Sequence, residues 1–183
     1  MFACDAEGVS PDFLCLAKGL TGGYMPLAAT LTTEKVYRAF LGSYDEFKSF
    51  FHGHTYTGNP LGCAAAIASL DLFKKEKVLA GLTGKTALFK TLLERFDSLD
   101  HVGEARHVGL VAGIELVADR STKEPYPAKE RVGHRVCMEA RKEGLIIRPL
   151  GDTVVLMPPL SVSEPELKKI VRITCECVKR VTG

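Results

Sequence analysis

Apolar residues along the chain recur at spacings that assign elements. An apolar run at 12–17 reads as a strand, and a Gly-rich turn follows at 19–23. A second strand pattern spans 27–33, bounded by Pro26, and 34–41 reads as a short helix. Residues 42–57 are polar, aromatic and Gly-containing, which predicts a long loop. The first residues run straight into a further loop at 5–11, with no capping element before it.

A stronger helix signal begins at Asn59-Pro60, since Asn caps well and Pro suits the first helical position. Its body, 61–73, is Ala-rich and apolar on most faces, which predicts a buried helix. Lys74, Lys75 and Lys77 cluster at its end, where cations complement the dipole. At 78–99, Leu82, Phe89, Leu92, Leu93 and Phe96 recur at helical spacing. Strand patterns follow at 104–108 and 110–117, then a Pro-containing polar loop at 119–127. A helix is predicted over 128–143, stopping at Gly144. Stretches 145–148 and 153–157 read as a hairpin around Gly151-Asp152. Ser163-Glu164-Pro165-Glu166 forms a capping box, opening a last helix that buries Leu167, Ile170, Val171, Thr174 and Val178. From about residue 76 onward, segregated helices and a small antiparallel sheet predict a compact α+β unit. Residues 1–75 hold too few elements to close a core.

Composition narrows the classes. The chain has 183 residues, 46% hydrophobic and 25% charged, with 24 Lys+Arg against 22 Asp+Glu for a net +2. These values argue against disorder, fibrous repeats and a charge-driven nucleic-acid binder. No apolar run approaches the ~20 residues of a membrane helix, and the start lacks signal-peptide character. Cys4, Cys15, Cys63, Cys137, Cys175 and Cys177 form no C-x-x-C pair. They read as small buried residues of a reducing, cytoplasmic setting rather than as a disulfide framework or a zinc site.

Three segments carry candidate chemistry. Lys18 directly follows an apolar strand and precedes glycines that leave room for a planar partner. A desolvated lysine there would expose a nucleophilic amine suited to Schiff-base chemistry; the alternative is a lysine reaching out to water. The stretch 51–60 combines hydroxyls, glycines and a helix start, which suits a phosphate. A plain helix cap competes with that reading, and a metal at His52 and His54 is disfavoured because no third ligand lies nearby. Arg148, between a strand and a turn, offers a fork for a carboxylate or serves in a structural ion pair. Gly84-Lys85-Thr86 imitates a phosphate-loop tail, but lies inside a helix and lacks the first glycine. Glu164 and Glu166 need only a helix-opening role.

The words PDFLCLAKGLTGGYMPLAATL (11–31), FHGHTYTGNPLGCAAA (51–66) and GLIIRPLGDTVVLMPPL (144–160) occur in an order that resembles the class III aminotransferases. The likeness covers essentially the whole chain. It implies an α/β architecture, fold type I of the pyridoxal-phosphate-dependent transferases. Residues 1–75 would be the C-terminal remnant of the large cofactor-binding domain, and 76–183 the small α+β domain. The resemblance also implies roles. Lys18 would hold pyridoxal 5'-phosphate covalently and move the proton in catalysis. Thr55 would reach the cofactor phosphate in the neighbouring subunit of a homodimer. Gly53 would line the substrate pocket, and Arg148 would hold the keto-acid carboxylate.

Within the class, the nearest likeness is to the biotin-pathway branch. It makes 7,8-diaminononanoate from 8-amino-7-oxononanoate, with S-adenosylmethionine or lysine as amino donor. His54 departs from the Pro of some relatives. An ornithine- or 4-aminobutyrate-type ω-amino-acid aminotransferase is the alternative enzyme; a non-catalytic folded module is the alternative of another class. The family's aspartate facing the pyridine nitrogen, its phosphate loop and its stacking aromatic match nothing in this stretch. The chain is therefore expected to be a truncated piece that binds the cofactor weakly or not at all and does not turn over alone.

Overall fold

The computed structural model describes residues 2–183 and divides into two compact units, Met1–Leu79 and Ala80–Gly183. The first unit opens with a helix absent from the sequence expectation, α1 (Ala3–Glu7). It is tied by Phe2 N–H to Asp5 Oδ2 at 2.9 Å and closed by Gly8 at φ 63°. The strands β1 (Phe13–Leu16) and β2 (Ala29–Thr32) pair antiparallel, Phe13 opposite Thr32 and Leu16 opposite Ala29. Between them Lys18–Thr21 forms a single 3-10 turn. Helix α2 (Glu34–Arg38) is capped by the Thr33 hydroxyl. The stretch predicted as a plain loop contains a 3-10 turn, Tyr44–Glu46, tied by Ser43 N–H to Glu46 Oε2 at 2.8 Å.

Helix α3 (Pro60–Lys75) starts where the Asn-Pro signal places it. Its expected burial on most faces is not found. Only Gly62 and Ala66 are buried, while Leu61 stands 70% exposed and Ile67 61%. A two-stranded ribbon and short turns offer too little surface to cover an all-round apolar helix. One flank is packed closely: a Cβ on Gly62 would lie 3.4 Å from the Leu27 side chain.

The second unit is closed. Helix α4 (Val78–Leu93) continues as a 3-10 turn, Glu94–Ser98. Then β3 (Val102–Val108) and β4 (Val111–Leu116) form a hairpin. Helix α5 (Val132–Lys142) is followed by β5 (Arg148–Leu150), β6 (Thr153–Leu156) and α6 (Glu164–Thr182). The sheet order is β3-β4-β6-β5, all antiparallel. Alternate residues Ala112, Ile114 and Leu116 of β4 and Val154 and Leu156 of β6 point into one core. That core includes Phe89 and Phe96, Val136 and Ala140 of α5, and Leu167, Val171 and Val178 of α6. The other face carries Arg106, which bridges Glu104 and Glu115 at 3.2 Å each. The period-2 split between faces is that of an antiparallel sheet covered on one side.

Two boundaries move for tertiary reasons. The helix predicted from 128 starts at Val132, after a 3-10 turn Ala128–Glu130 and Arg131 at φ 49°. Its start is fixed from outside: Asp152 Oδ1 accepts from Gly133 N–H at 2.8 Å. A Cβ on Gly133 would lie 2.6 Å from the Gly151 carbonyl oxygen. The strand predicted at 145–148 pairs only from Arg148 onward, opposite Val155, after Gly144 at φ 82° ends α5. Cys137, Cys175 and Cys177 are buried, but Cys15 is exposed and Cys4 and Cys63 only half-buried.

Candidate active site

Of the candidate residues, Lys18 has an unusual backbone. It sits at φ 45°, in the left-handed region, which costs a side-chain-bearing residue about 1–2 kcal/mol. Such strain persists only where neighbours hold it. Here Gly23 N–H donates to the Lys18 carbonyl at 3.2 Å and Leu20 N–H to the Ala17 carbonyl at 3.1 Å. Gly22 N–H donates to the Gly19 and Lys18 carbonyls, with Gly22 itself at φ 62° and Gly23 at φ 83°. Added Cβ atoms at Gly19 and Gly23 would meet nothing within 4 Å. Lys18 is exposed within this chain, as in the alternative of a lysine reaching out to water, and the desolvation that would expose a nucleophilic amine is not found here.

Gly53 and Thr55 lie in one exposed loop leading into α3. Thr57 Oγ1 accepts from His54 N–H at 3.0 Å, and His54 Nδ1 accepts from Tyr56 N–H at 3.1 Å. These bonds leave the Thr55 hydroxyl outward and without a partner among the described residues. The phosphate reading of the helix start needs revision. Asn59 Oδ1 accepts from Leu61 N–H at 2.9 Å and Gly62 N–H at 3.3 Å. Pro60 has no N–H, and Cys63 N–H already donates to the Asn59 carbonyl at 2.9 Å. The first turn is therefore spoken for, and the Thr55 hydroxyl is the group left to meet an anion. Among the described residues no three His, Cys, Asp or Glu side chains gather as a metal cluster.

Helix α3 is the common support of both segments. Its N-cap ends the 53–58 loop, and its flank packs against the Lys18–Thr21 turn and Leu27. Arg148 belongs to the second unit. Its strand is fixed by pairing with β6 and by Pro149, whose Cβ would lie 3.1 Å from a Cβ on Gly133. The guanidinium is exposed and makes no ion pair among the described residues, so the structural-salt-bridge reading lacks a partner. Lys85, in the phosphate-loop imitation, donates to the Leu160 carbonyl at 3.0 Å inside the second unit.

Sequence reasoning missed two residues. Thr21 is 2% exposed and bonds both backbone groups of Met25. Asp152 caps α5 from the β5–β6 turn. A threonine between Leu20 and two glycines was a faint signal for the first; the second depends on contact across nineteen residues and left no local trace.

Comparison with known proteins completes the picture. The family profile Aminotransferase class-III matches residues 1–178. An adenosylmethionine-8-amino-7-oxononanoate aminotransferase of Nitratidesulfovibrio vulgaris is 58% identical over 182 residues, covering 100% of this chain and 34% of the relative. That of Geobacter sulfurreducens is 53% identical over 183 residues, covering 100% and 40%. The crystal structure of the Methanocaldococcus jannaschii adenosylmethionine-8-amino-7-oxononanoate aminotransferase superposes with a TM-score of 0.94 at 47% identity, over 99% of this chain and 42% of that one. An ω-transaminase from Pseudomonas jessenii in complex with PMP gives 0.93 at 32% identity, over 100% and 40%. The chain thus spans between a third and about two fifths of the length of these relatives. Its fold is the α/β fold of the type I pyridoxal-phosphate transaminases, and pyridoxal phosphate is the cofactor of the group. The chain belongs to the class III aminotransferase family.

Proposed function

We propose that the whole protein transfers an amino group to 8-amino-7-oxononanoate to give 7,8-diaminononanoate, with S-adenosylmethionine or lysine as donor. The identities of 58% and 53% to enzymes named for that substrate, against 32% to an ω-transaminase, favour this over other ω-amino acids. The observation that carries the reading is the Lys18 turn: an amine with no partner among the described residues, on a strained, hydrogen-bonded loop flanked by glycines with open space. These residues fit pyridoxal phosphate, since a planar ring needs that clearance and a free amine beside it.

Bound there, the cofactor supplies the electron sink for charge developing at the reacting carbon. The chain's own groups do the rest. Lys18 Nζ would hold the cofactor and would carry the proton to and from the amine-bearing carbon of the substrate. The Thr55 hydroxyl would donate to the cofactor phosphate in the neighbouring subunit's site. Gly53, with no side chain, leaves width for the substrate. Arg148 presents its planar fork to the substrate carboxylate. A homodimer suits the loop that bears Thr55, where Phe50, Phe51 and Tyr56 stand 66%, 80% and 73% exposed. Among the described residues no helix is long and apolar enough to cross a membrane; we place the protein in the cytoplasm, where its substrates would be.

The test is steady-state turnover of the whole protein. Lys18→Ala is expected to lower kcat by roughly 10^2–10^4-fold or more, the scale of losing a proton-transfer group. Arg148→Ala is expected to raise KM for 8-amino-7-oxononanoate about 10–100-fold, the worth of one charged hydrogen-bonded pair. Wild-type turnover in the lysine variant would remove the reading; an unaltered KM in the other would remove the role of Arg148.

A further inference from the structure

Thr21 and Thr174 are the buried polar side chains among the described residues. Thr174 bonds the Ile170 carbonyl one helical turn back, at 2.9 Å, as a helical threonine commonly does. Thr21 does something different. Its hydroxyl donates to the Met25 carbonyl at 2.6 Å and accepts from Met25 N–H at 3.4 Å, while Tyr24 N–H donates to the Thr21 carbonyl at 3.2 Å. One buried oxygen thus ties down both backbone groups of a residue four positions on. The segment it closes is the one whose Gly22 and Gly23 N–H groups hold the Lys18 carbonyl.

Lys18 needs that hold. Other side-chain-bearing residues at positive φ include Phe47 and Arg131, which close 3-10 turns, where a left-handed residue is an ordinary stop. Lys18 instead lies within its turn, as the first residue of Lys18–Thr21. Released from its neighbours, it would return to a negative φ. The Cα–Cβ bond would then swing, and the amine with it.

We propose that Thr21 is a positioning residue for Lys18: its buried hydroxyl clamps Met25 and so keeps Lys18 in the left-handed conformation that aims its amine. This rests on the reading of Lys18 as the cofactor lysine. It assigns Thr21 no contact with substrate or cofactor. It acts through two peptide groups and the glycines between them, and a hydroxyl at position 21 is its whole requirement.

Two measurements on the whole protein test it. The first is the rate at which pyridoxal phosphate becomes borohydride-trapped on Lys18, read by peptide mapping in wild type, Thr21→Ser and Thr21→Val. The serine variant is expected to stay within about threefold of wild type, and the isosteric valine variant to lose tenfold or more, with label moving to other lysines. Equal trapping in wild type and the valine variant would overturn the proposal. The second is a double-mutant cycle on urea stability with Lys18→Gly. Glycine at 18 relieves the strain in wild type, so it is expected to stabilise there and to do so less in the Thr21→Val background; strictly additive effects would overturn the coupling. If wild type traps nothing on Lys18, the function proposed above falls, while the cycle still decides whether the clamp exists. If the valine variant does not fold, wild-type hydrogen exchange at Gly22 and Gly23 decides: slow exchange of both amides supports the clamp, and exchange at unprotected rates overturns it.

Discussion

The two units use the same kinds of residue to opposite ends. In the second, Phe89, Phe96, Ile114, Leu156, Leu167 and Val171 are all 0% exposed, in one core shared by three helices and three strands. In the first, Phe13 is 58% exposed, Leu31 50%, Leu61 70% and Ile67 61%. The second unit also leaves some apolar side chains open, Val108 at 79%, Ile146 at 77%, Leu150 at 66% and Met157 at 63%, but beside a core that is closed. Among its described residues the first keeps most of its large apolar side chains open and has one buried polar anchor, Thr21. A closed core stabilises itself. An open layer of strands and loops is shaped for something to be laid against it, and it is there that the Lys18 turn and the Thr55 loop sit.

The sharpest way to break this contrast is to truncate one phenylalanine from each. Phe89→Ala is expected to destabilise the second unit by about 3–5 kcal/mol, the usual cost of removing a fully buried ring. Phe13→Ala is expected to stay within about 0.5 kcal/mol, as for surface positions. Urea melts of both variants would measure the pair, and equal losses would erase the distinction.

Next in size is a pH effect. Burial first, and the neighbouring Cys177 second, push the Cys137 thiol from 9.0 up to about 11. The unfolded thiol ionises near 9.0 and the folded one near 11, so this contribution is intact below 9.0 and fades as the pH rises through 11. The expected loss attributable to Cys137 is about 2–3 kcal/mol over that window. It should vanish in Cys137→Ala, with melts compared at pH 8.5 and 11. An identical alkaline slope in both proteins would show that Cys137 is not shielded.

The smallest expected effect concerns the hinge between helix and hairpin. Asp152→Ala removes the acceptor for Gly133 N–H and is expected to cost about 1 kcal/mol, in the range of lost helix caps. Thermal melting would register it, and Asp152→Asn should recover most of the loss.

These residues also mark what the sequence could and could not tell. Local signals read well. Asn59-Pro60 starts α3, Ser163 with Glu166 starts α6, and the spacing of Phe89, Leu92, Leu93 and Phe96 finds the buried side of α4 and its 3-10 extension. What failed was set by distant partners. The start of α5 moved because Asp152 and the Gly151 carbonyl dictate where Gly133 sits. The covered faces of α3 were overestimated because an apolar pattern records what a helix is able to bury, not what is there to cover it. For the candidate site, Lys18, Gly53, Thr55 and Arg148 stood out through motif words. Thr21 did not, because a threonine in a Gly-rich turn looks like any turn residue until its burial is known.

Lys18 is the central residue of the proposed chemistry. Incubating the whole protein with pyridoxal phosphate, reducing with borohydride and sequencing the labelled peptide tests it directly. The expected result is a single stoichiometric label on the peptide spanning residue 18, lost in Lys18→Ala together with the yellow absorbance of the bound cofactor. Label spread over surface lysines, or undiminished colour in the alanine variant, would contradict it.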